Sequence, residues 1–381
     1  MKVMEKILFA TDFNQSANDA MKTALLLAKT FHSEIILIHV VPEIEHLSLS
    51  QETLKENVKK LLDNVNHHIS NEGVTTSDPI LLFGEPFDLI STYGDINNVN
   101  VIVLGAGEKQ DTYKFPLGIT AGRIIRSSKK PVWIVKKDSP PRLKKIVCPI
   151  DLSDSSERAL KNAIHLARKF DARLTVLNVI KPPSSLYLKM HRSVEQEQKR
   201  LRKFHLSQFE AFLKKMDFYK VTWDKAVRDG NPAEEILSFV SGEQPDLLVM
   251  GTVGRTGLDR ILMGSVAEKV TRELPCSTMM VKSESPFRLK MEDAFNTIKS
   301  CFKQGHELLE EGFAPEAAAR FEHCVFRDVM FAPGWEGLAS AYSRLGRDDD
   351  SRECLERAIQ IRRELWEKQV RFEILKQKKI E

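Results

Sequence analysis

The sequence predicts two tandem α/β domains, each a doubly wound parallel sheet with helices on both faces, followed by an all-α tail. Three observations lead there. The chain up to Glu284 repeats itself once, short β-branched runs alternate with stretches of helical period in each copy, and the strands stop near residue 290. Internal repetition is the strongest of the three, because it sets the unit in which every other segment is read.

The elements follow in matched order. KILFATD (6–12) and KIVCPID (145–151) open the two copies, so that Lys6 answers to Lys145 and Asp12 to Asp151, and each is followed by a polar stretch (FNQSAND, LSDSSER). The helical periods AMKTALLLAKTF and ALKNAIHLARKF come next, then the pairs EIILIHVV and RLTVLNVI, NVIVLGAG and DLLVMGTVG, and PVWIVKK and CSTMMVK. These runs are nearly continuous in apolar residues, as strands covered on both faces require. Domain 1 is expected over residues 1–138 and domain 2 over 142–284, joined by KKDSPPRLKK, whose prolines and charges mark a linker.

The third region, 290–381, is rich in Ala, Glu, Arg and Leu at helical spacing. Gly305, Leu308, Gly312, Ala317, Phe321 and Cys324 recur in the same order and spacing as Ala339, Tyr342, Gly346, Ser351, Leu355 and Ala358. Trp335-x-x-Leu338-Ala339-x-x-Tyr342 resembles the tetratricopeptide signature, with the helix-breaking proline displaced to Pro333. Two units leave an apolar face to cover, so a capping helix over about 363–379 or docking onto the α/β part is expected.

Composition excludes several classes. An apolar fraction of 42% supports a sizeable core, and 57 basic against 53 acidic residues, a net +4, implies no obligate nucleic-acid partner. Residues 189–215 concentrate eight basic against three acidic residues, read as a solvated helix face rather than a basic patch for nucleic acid or membrane. Cys148, Cys276, Cys301, Cys324 and Cys354 contain no C-x-x-C pair, which fits free thiols in a reducing compartment. No signal-peptide core or membrane-length apolar run stands in the sequence, so a soluble cytoplasmic protein is expected. The ten histidines form no H-E-x-x-H, and His67-His68 points two ways around a helix; no metal site is expected.

The ligand signal lies after DLLVMG. Gly251 and Gly254, nine further residues, then Gly264-Ser265 opening a helix form an anion cradle. Glycines at a strand's carboxyl end let the backbone approach a phosphate, and the next helix presents N–H groups at its positive end. Open α/β sheets bind ligands at this edge, so Asp151, at the end of the first strand, is expected beside it.

The tandem copies, the Ile150-Asp151-x-Ser153-x-x-Ser156 start and Gly-x2-Gly-x9-Gly-Ser together resemble the universal stress proteins over about residues 1–284. The resemblance implies a five-stranded sheet ordered 3-2-1-4-5 in each copy, ATP as ligand of glycine-bearing members, and pairing of domains through the last strand. Carried onto this chain, Pro149, Ile150 and Asp151 lie by the nucleoside and Val179 meets the adenine edge through its backbone. Gly251, Gly254, Gly264, Ser265 and Val266 hold ribose and phosphates. Arg255 and Arg260, on the loop from Thr252 to Met263, reach the phosphates, with Mg²⁺ brought in on the triphosphate. PVWIVKK and CSTMMVK can pair inside one chain, which would remove the usual reason to dimerise; a homodimer stays open beside it.

Domain 1 departs from the pattern. Aligning Gly105 with Gly251 and Gly118 with Gly264 puts Glu108 where Gly254 stands and Ile119 where Ser265 stands. A carboxylate repels a triphosphate and Ile has no hydroxyl to donate, so domain 1 is expected to bind ATP weakly or not at all, although Thr11, Asp12 and Val40 or Val41 would suit a nucleoside. Bland readings stand beside these. Asp12 and Asp151 also suit helix N-terminal polarity, Ser16, Ser153 and Ser155 suit caps rather than nucleophiles, and Trp335 and Tyr342 suit interhelix packing. The resulting expectation is a stress-response protein that binds ATP in domain 2 and offers its tail to a protein partner. The alternatives are a slow ATPase or autophosphorylating enzyme, for which no catalytic base or Walker lysine is visible, and a nucleotide-independent scaffold.

Overall fold

A computed structural model of the chain describes residues 4–42, 51–107, 117–182, 194–252, 263–282, 286 and 298–377. The chain divides into two compact units, residues 1–212 with 220–290, and residues 213–219 with 291–381.

The first unit alternates strands and helices twice. Its first half runs β1 (Lys6–Ala10), α1 (Gln15–Phe31), β2 (Glu34–Val41), α2 (Gln51–Asn71), β3 (Ile80–Phe83), α3 (Pro86–Ile96), β4 (Val101–Gly105), α4 (Ile119–Ser127) and β5 (Val132–Val135). Its second half runs β6 (Lys145–Ile150), α5 (Asp154–Phe170), β7 (Arg173–Ile180), α6 (Val194–Leu213), β8 (Trp223–Asp229), α7 (Pro232–Glu243), β9 (Leu247–Gly251), α8 (Ser265–Glu273) and β10 (Thr278–Val281). The spacing between copies is constant as far as β2 and β7 and has lengthened by Gly84 and Gly230. These two glycines, at φ +136° and +154°, turn the chain into the prolines that open α3 and α7.

Two separate five-stranded sheets are the sequence expectation, and the structure corrects it. All ten strands form one sheet in the order β3-β2-β1-β4-β5-β10-β9-β6-β7-β8. Every pairing within a half is parallel, and β5 joins β10 antiparallel, with Thr278 opposite Ile134 and Met280 opposite Val132. The reason is the composition of these two strands. VWIV and TMMV are buried throughout, and as open edges they would expose unpaired backbone groups on an apolar ribbon. Pairing them leaves β3 and β8 as outer strands, one four residues long and the other carrying Asp224, Lys225, Arg228 and Asp229. Short and charged strands are what an edge tolerates. One apolar cluster runs across the joint, including Leu8, Ile134, Leu248 and Met280.

Two lysines fasten the joint reciprocally. Lys136 Nζ, just past β5, donates to the Pro275 carbonyl at 2.8 Å, and Lys282 Nζ, just past β10, donates to the carbonyls of Arg126 and Ser128 at 2.9 and 2.5 Å. Each caps carbonyls at the end of the helix that precedes the other copy's last strand. Burial pushes Lys282 down to about 8, partly opposed by Asp95.

The second unit holds α9 (Ile298–Glu311), α10 (Ala314–Arg327), α11 (Ala332–Arg344) and α12 (Asp348–Gln377). Successive helices pack on one another and α9 also reaches α11. The starts of α9 and α10, at Ile298 and Ala314, recur as those of α11 and α12, at Ala332 and Asp348, and Gly312 and Gly346 turn each pair at positive φ. Phe321 fills the centre. An added Cβ on Gly305 or Gly337 would stand 2.7 or 2.3 Å from its ring, and Phe302 and His306 meet it edge-on. Tyr342 is buried and donates to Glu322 at 2.7 Å, whereas Trp335 is half-buried and donates to the Val329 carbonyl. The separate capping helix expected from about 363 is instead the continuation of α12. All five cysteines are free and buried, and burial raises the Cys148 and Cys276 thiols, the latter to about 12, so neither is a thiolate at neutral pH.

Candidate functional site at the carboxyl edge of the sheet

β6 lies between β7 and β9, so the carboxyl ends of three neighbouring strands of the second copy meet at one edge. Pro149 and Ile150 end β6 and are buried; Asp151 follows and is exposed. The chain then turns at Leu152, φ +66°, and enters α5. The Asp151 carboxylate accepts from the Ser153 amide at 3.1 Å and from its hydroxyl at 2.5 Å, and the Ser153 oxygen accepts from the Ser156 amide at 3.2 Å. Ser153 is therefore the helix cap and Asp151 braces it. On β7, Val179 is half-buried and pairs in register with Arg228. Its neighbour Asn178, buried, donates to the Ile150 carbonyl at 3.0 Å and holds the end of β6.

The cradle proper begins where β9 ends. An added Cβ on Gly251 would stand 2.4 Å from Ser155 Oγ and 2.8 Å from the Ser155 carbonyl carbon, so only glycine lets β9 pass the first turn of α5. Thr252 is buried. Its amide donates to the Val281 carbonyl at 3.2 Å and its own carbonyl accepts from the Gly264 amide at 2.7 Å, which closes the base of the loop. Gly264 precedes α8 in extended conformation without a side-chain cap, and the first N–H groups of a helix have no partner within the helix itself. Ser265 is exposed beside them and Val266 packs on the core. Gly251, Thr252, Gly264 and Ser265 thus form one feature, with Asp151 and Val179 supplied from the adjoining strands. Gly254, Arg255 and Arg260 lie outside the described residues.

The first copy repeats the scaffold bond for bond. Gly105 would meet Ser16 as Gly251 meets Ser155, at 2.4 Å, and Gly118 N donates to the Ala106 carbonyl at 2.7 Å. Asp12 accepts from the amide and side chain of Asn14, and Asn14, rather than Ser16, caps α1 by accepting from the Ala17 amide. Phe13 turns at φ +62°. His39 stands where Asn178 does, its Nδ1 bonded to the Thr11 carbonyl at 2.7 Å and its ring 4.7 Å from that of Phe13. Ile119, 51% exposed, opens α4 in place of Ser265, and Glu108 lies outside the described residues. Among the described residues no cluster of His, Cys, Asp or Glu is arranged to hold a metal ion. No described helix is long and apolar enough to cross a membrane.

Asn178 and His39 were not singled out by sequence reasoning. The signal available was an amide or imidazole side chain two residues before the end of each run, RLTVLNVI and EIILIHVV.

The Universal stress protein family model matches residues 4–136 and 142–282. Universal stress protein MJ0531 of Methanocaldococcus jannaschii is 37% identical over 139 residues, which cover 36% of this chain and 82% of that protein. Universal stress protein E of Salmonella typhi is 22% identical over 320 residues, 77% of this chain and all of that protein. Among solved structures, a universal stress protein from Archaeoglobus fulgidus aligns with a TM-score of 0.54 at 19% identity, over 73% of this chain and 96% of its own.

Proposed function

Because the chain belongs to the universal stress protein family, we propose that its second α/β domain binds ATP and that the bound nucleotide regulates an interaction made by the helical tail. In this reading the chain has three modules, residues 1–138, 142–284 and 290–381, and each α/β module has the family's five-strand order. The observation that carries it is the cradle. Gly251 admits the backbone, the Gly264–Thr252 bond holds the loop base, and the uncapped start of α8 with the Ser265 hydroxyl offers donors to an anion.

A triphosphate fits this donor set. Main-chain amides at Ser265 and Val266 donate to phosphate oxygens, Gly264 lets the backbone approach them, and Gly254, Arg255 and Arg260 from the intervening loop add donors and charge. Pro149, Ile150 and Asp151 border the nucleoside, and Val179 offers backbone groups to the adenine edge. Mg²⁺ arrives on the triphosphate, since such sites need few protein ligands. The chain's own work is binding and orientation. In the first copy, Ile119 removes the hydroxyl and Glu108 adds a negative charge, so ATP binds there weakly or not at all. The two-pair helical unit is read as tetratricopeptide-like, the module that meets a protein partner.

The test is calorimetric titration of the full chain with ATP. One equivalent bound, lost in Ser265→Ile with the melting curve unchanged, supports the reading. Two equivalents, or none, overturns it. Capture of a partner that ATP leaves unaltered would reduce the tail to a nucleotide-independent scaffold.

A further inference from the structure

One ion-pair cluster crosses the joint between the two copies at the start of the cradle helix. Glu268 is the acid in the first turn of α8. Its Oε1 accepts from Arg126 Nη2 of α4, in the first copy, at 2.7 Å and from Arg272 Nη2 of its own helix at 3.1 Å. The alignment that sets Gly118 against Gly264 makes Arg126 and Arg272 counterparts, so equivalent arginines of the two copies meet on one carboxylate. That carboxylate has no counterpart, because Gly122 stands at its position and α4 has no acid in its first turn. The Lys282 fastener uses the Arg126 carbonyl, which leaves the guanidinium to this separate contact.

Placement gives the carboxylate an effect on the cradle. The Glu268 amide donates to the Gly264 carbonyl at 2.9 Å, one turn inside the helix start, and Glu268 lines the same groove as Met263, the residue before Gly264. A turn rises about 5.4 Å and helical side chains lean toward the N-terminus, so the carboxylate lies within about one Debye length, ~10 Å at 0.1 M salt, of the first amides. A negative charge there suits the helix macrodipole but repels a phosphate brought to the same helix end. The two guanidiniums reverse its sign. Arg126, Glu268 and Arg272 together carry +1, whereas Glu268 and Arg272 alone cancel.

We infer, resting on the nucleotide reading, that Arg126 of the first copy is a positioning residue for the anion site of the second, acting through Glu268 to keep the start of α8 net positive. Calorimetric titration of the full chain with ATP at low salt tests it, and affinity should follow the summed charge of the three side chains. Glu268→Gln should bind ATP about threefold more tightly than the unsubstituted chain and Arg126→Gln about threefold more weakly, in keeping with half-exposed charges. The double variant should bind like the unsubstituted chain, and high salt should narrow every difference. Arg123→Gln is the control. It lies one turn away on α4, beside Glu85 at 3.6 Å, and should change affinity less than Arg126→Gln. A purely structural pair would instead lower the melting curve of both single variants and leave affinity unmoved, which overturns the inference. A double variant as weak as Arg126→Gln overturns it too, as does an equal loss in Arg123→Gln. Should Arg126→Gln not fold, Glu268→Gln decides, and affinity unchanged there overturns it. An unsubstituted chain that binds no ATP overturns the proposed function first, and this inference with it.

Discussion

The two α/β copies differ least where folding makes demands and most where a ligand would. Both turn after the first strand at a positive φ, both brace the following helix cap with an aspartate, both pass a glycine against a serine of that helix, and both close the later loop with one amide-to-carbonyl bond. At the later loop the departures include Glu108 for Gly254 and Ile119 for Ser265. Neither is needed to close the loop base, because that bond uses only backbone groups of Ala106 and Gly118. A copy can therefore keep its fold and its place in the ten-stranded sheet whichever residues stand at those two positions. The intact joint explains why it is kept: without β5, strand β10 would be an exposed apolar edge.

The largest effect should come from exchanging those two positions. Gly254→Glu with Ser265→Ile should lower ATP affinity of the full chain by about 100-fold, or ~2.7 kcal/mol at tenfold per 1.4 kcal/mol. Glu108→Gly with Ile119→Ser should create a second, weaker site. Calorimetric stoichiometry reads both. A stoichiometry unmoved by either exchange would break the contrast between the copies.

Next come the shared glycines. Gly105→Ala and Gly251→Ala should each destabilise by about 1–3 kcal/mol through overpacking, because the new methyl meets a backbone carbonyl carbon, 2.6 or 2.8 Å away, as well as a hydroxyl. Equal losses in urea unfolding midpoints, whether or not ATP is present, would mark a folding requirement common to both copies. A loss confined to Gly251→Ala would tie that glycine to the ligand instead.

How much of this was legible follows from which interactions are local. β1, β2, β4 and β5 and their counterparts read as apolar runs because both faces are covered. β3 escaped because ILLF is only four residues long, and β8 because WDKAVRD has no apolar run to find. The cradle glycines stood out by their spacing, although what requires glycine at 251 is Ser155, 96 residues earlier in the chain. Asn178 and His39 did not, because each acts on a carbonyl of the neighbouring strand 28 residues away. The lysine fasteners span 139 to 156 residues and leave no local trace at all.

Those fasteners give the third contrast. Lys282 is held at about 8, chiefly by burial, against an ordinary 10.5 in the unfolded chain. Between these values the unfolded state binds more protons, so stability should rise with pH from about 8 to 10.5 and be insensitive to this group below that window. Thermal melts across the window should show the rise, and Lys282→Met should remove it. A slope that survives Lys282→Met would assign it elsewhere.

The smallest effects separate the two meanings of the paired aspartates. Ser153→Ala and Asn14→Ala should each cost about 1 kcal/mol as lost helix caps. Asp12→Ala and Asp151→Ala should cost less, since each carboxylate only steadies the cap through the bonds seen at Asn14 and Ser153. If bracing were the whole role of Asp151, the two aspartate variants would match in stability and ATP affinity would not change. If Asp151 also borders the nucleoside, Asp151→Ala should weaken ATP several-fold beyond its stability loss, whereas Asp12→Ala should not. Asp151→Asn sharpens the comparison, because the amide keeps an oxygen for the Ser153 hydroxyl but removes the charge. Affinity retained in Asp151→Asn and lost in Asp151→Ala would mean that a polar oxygen suffices at this edge, and loss in both would mean that the charge itself is used.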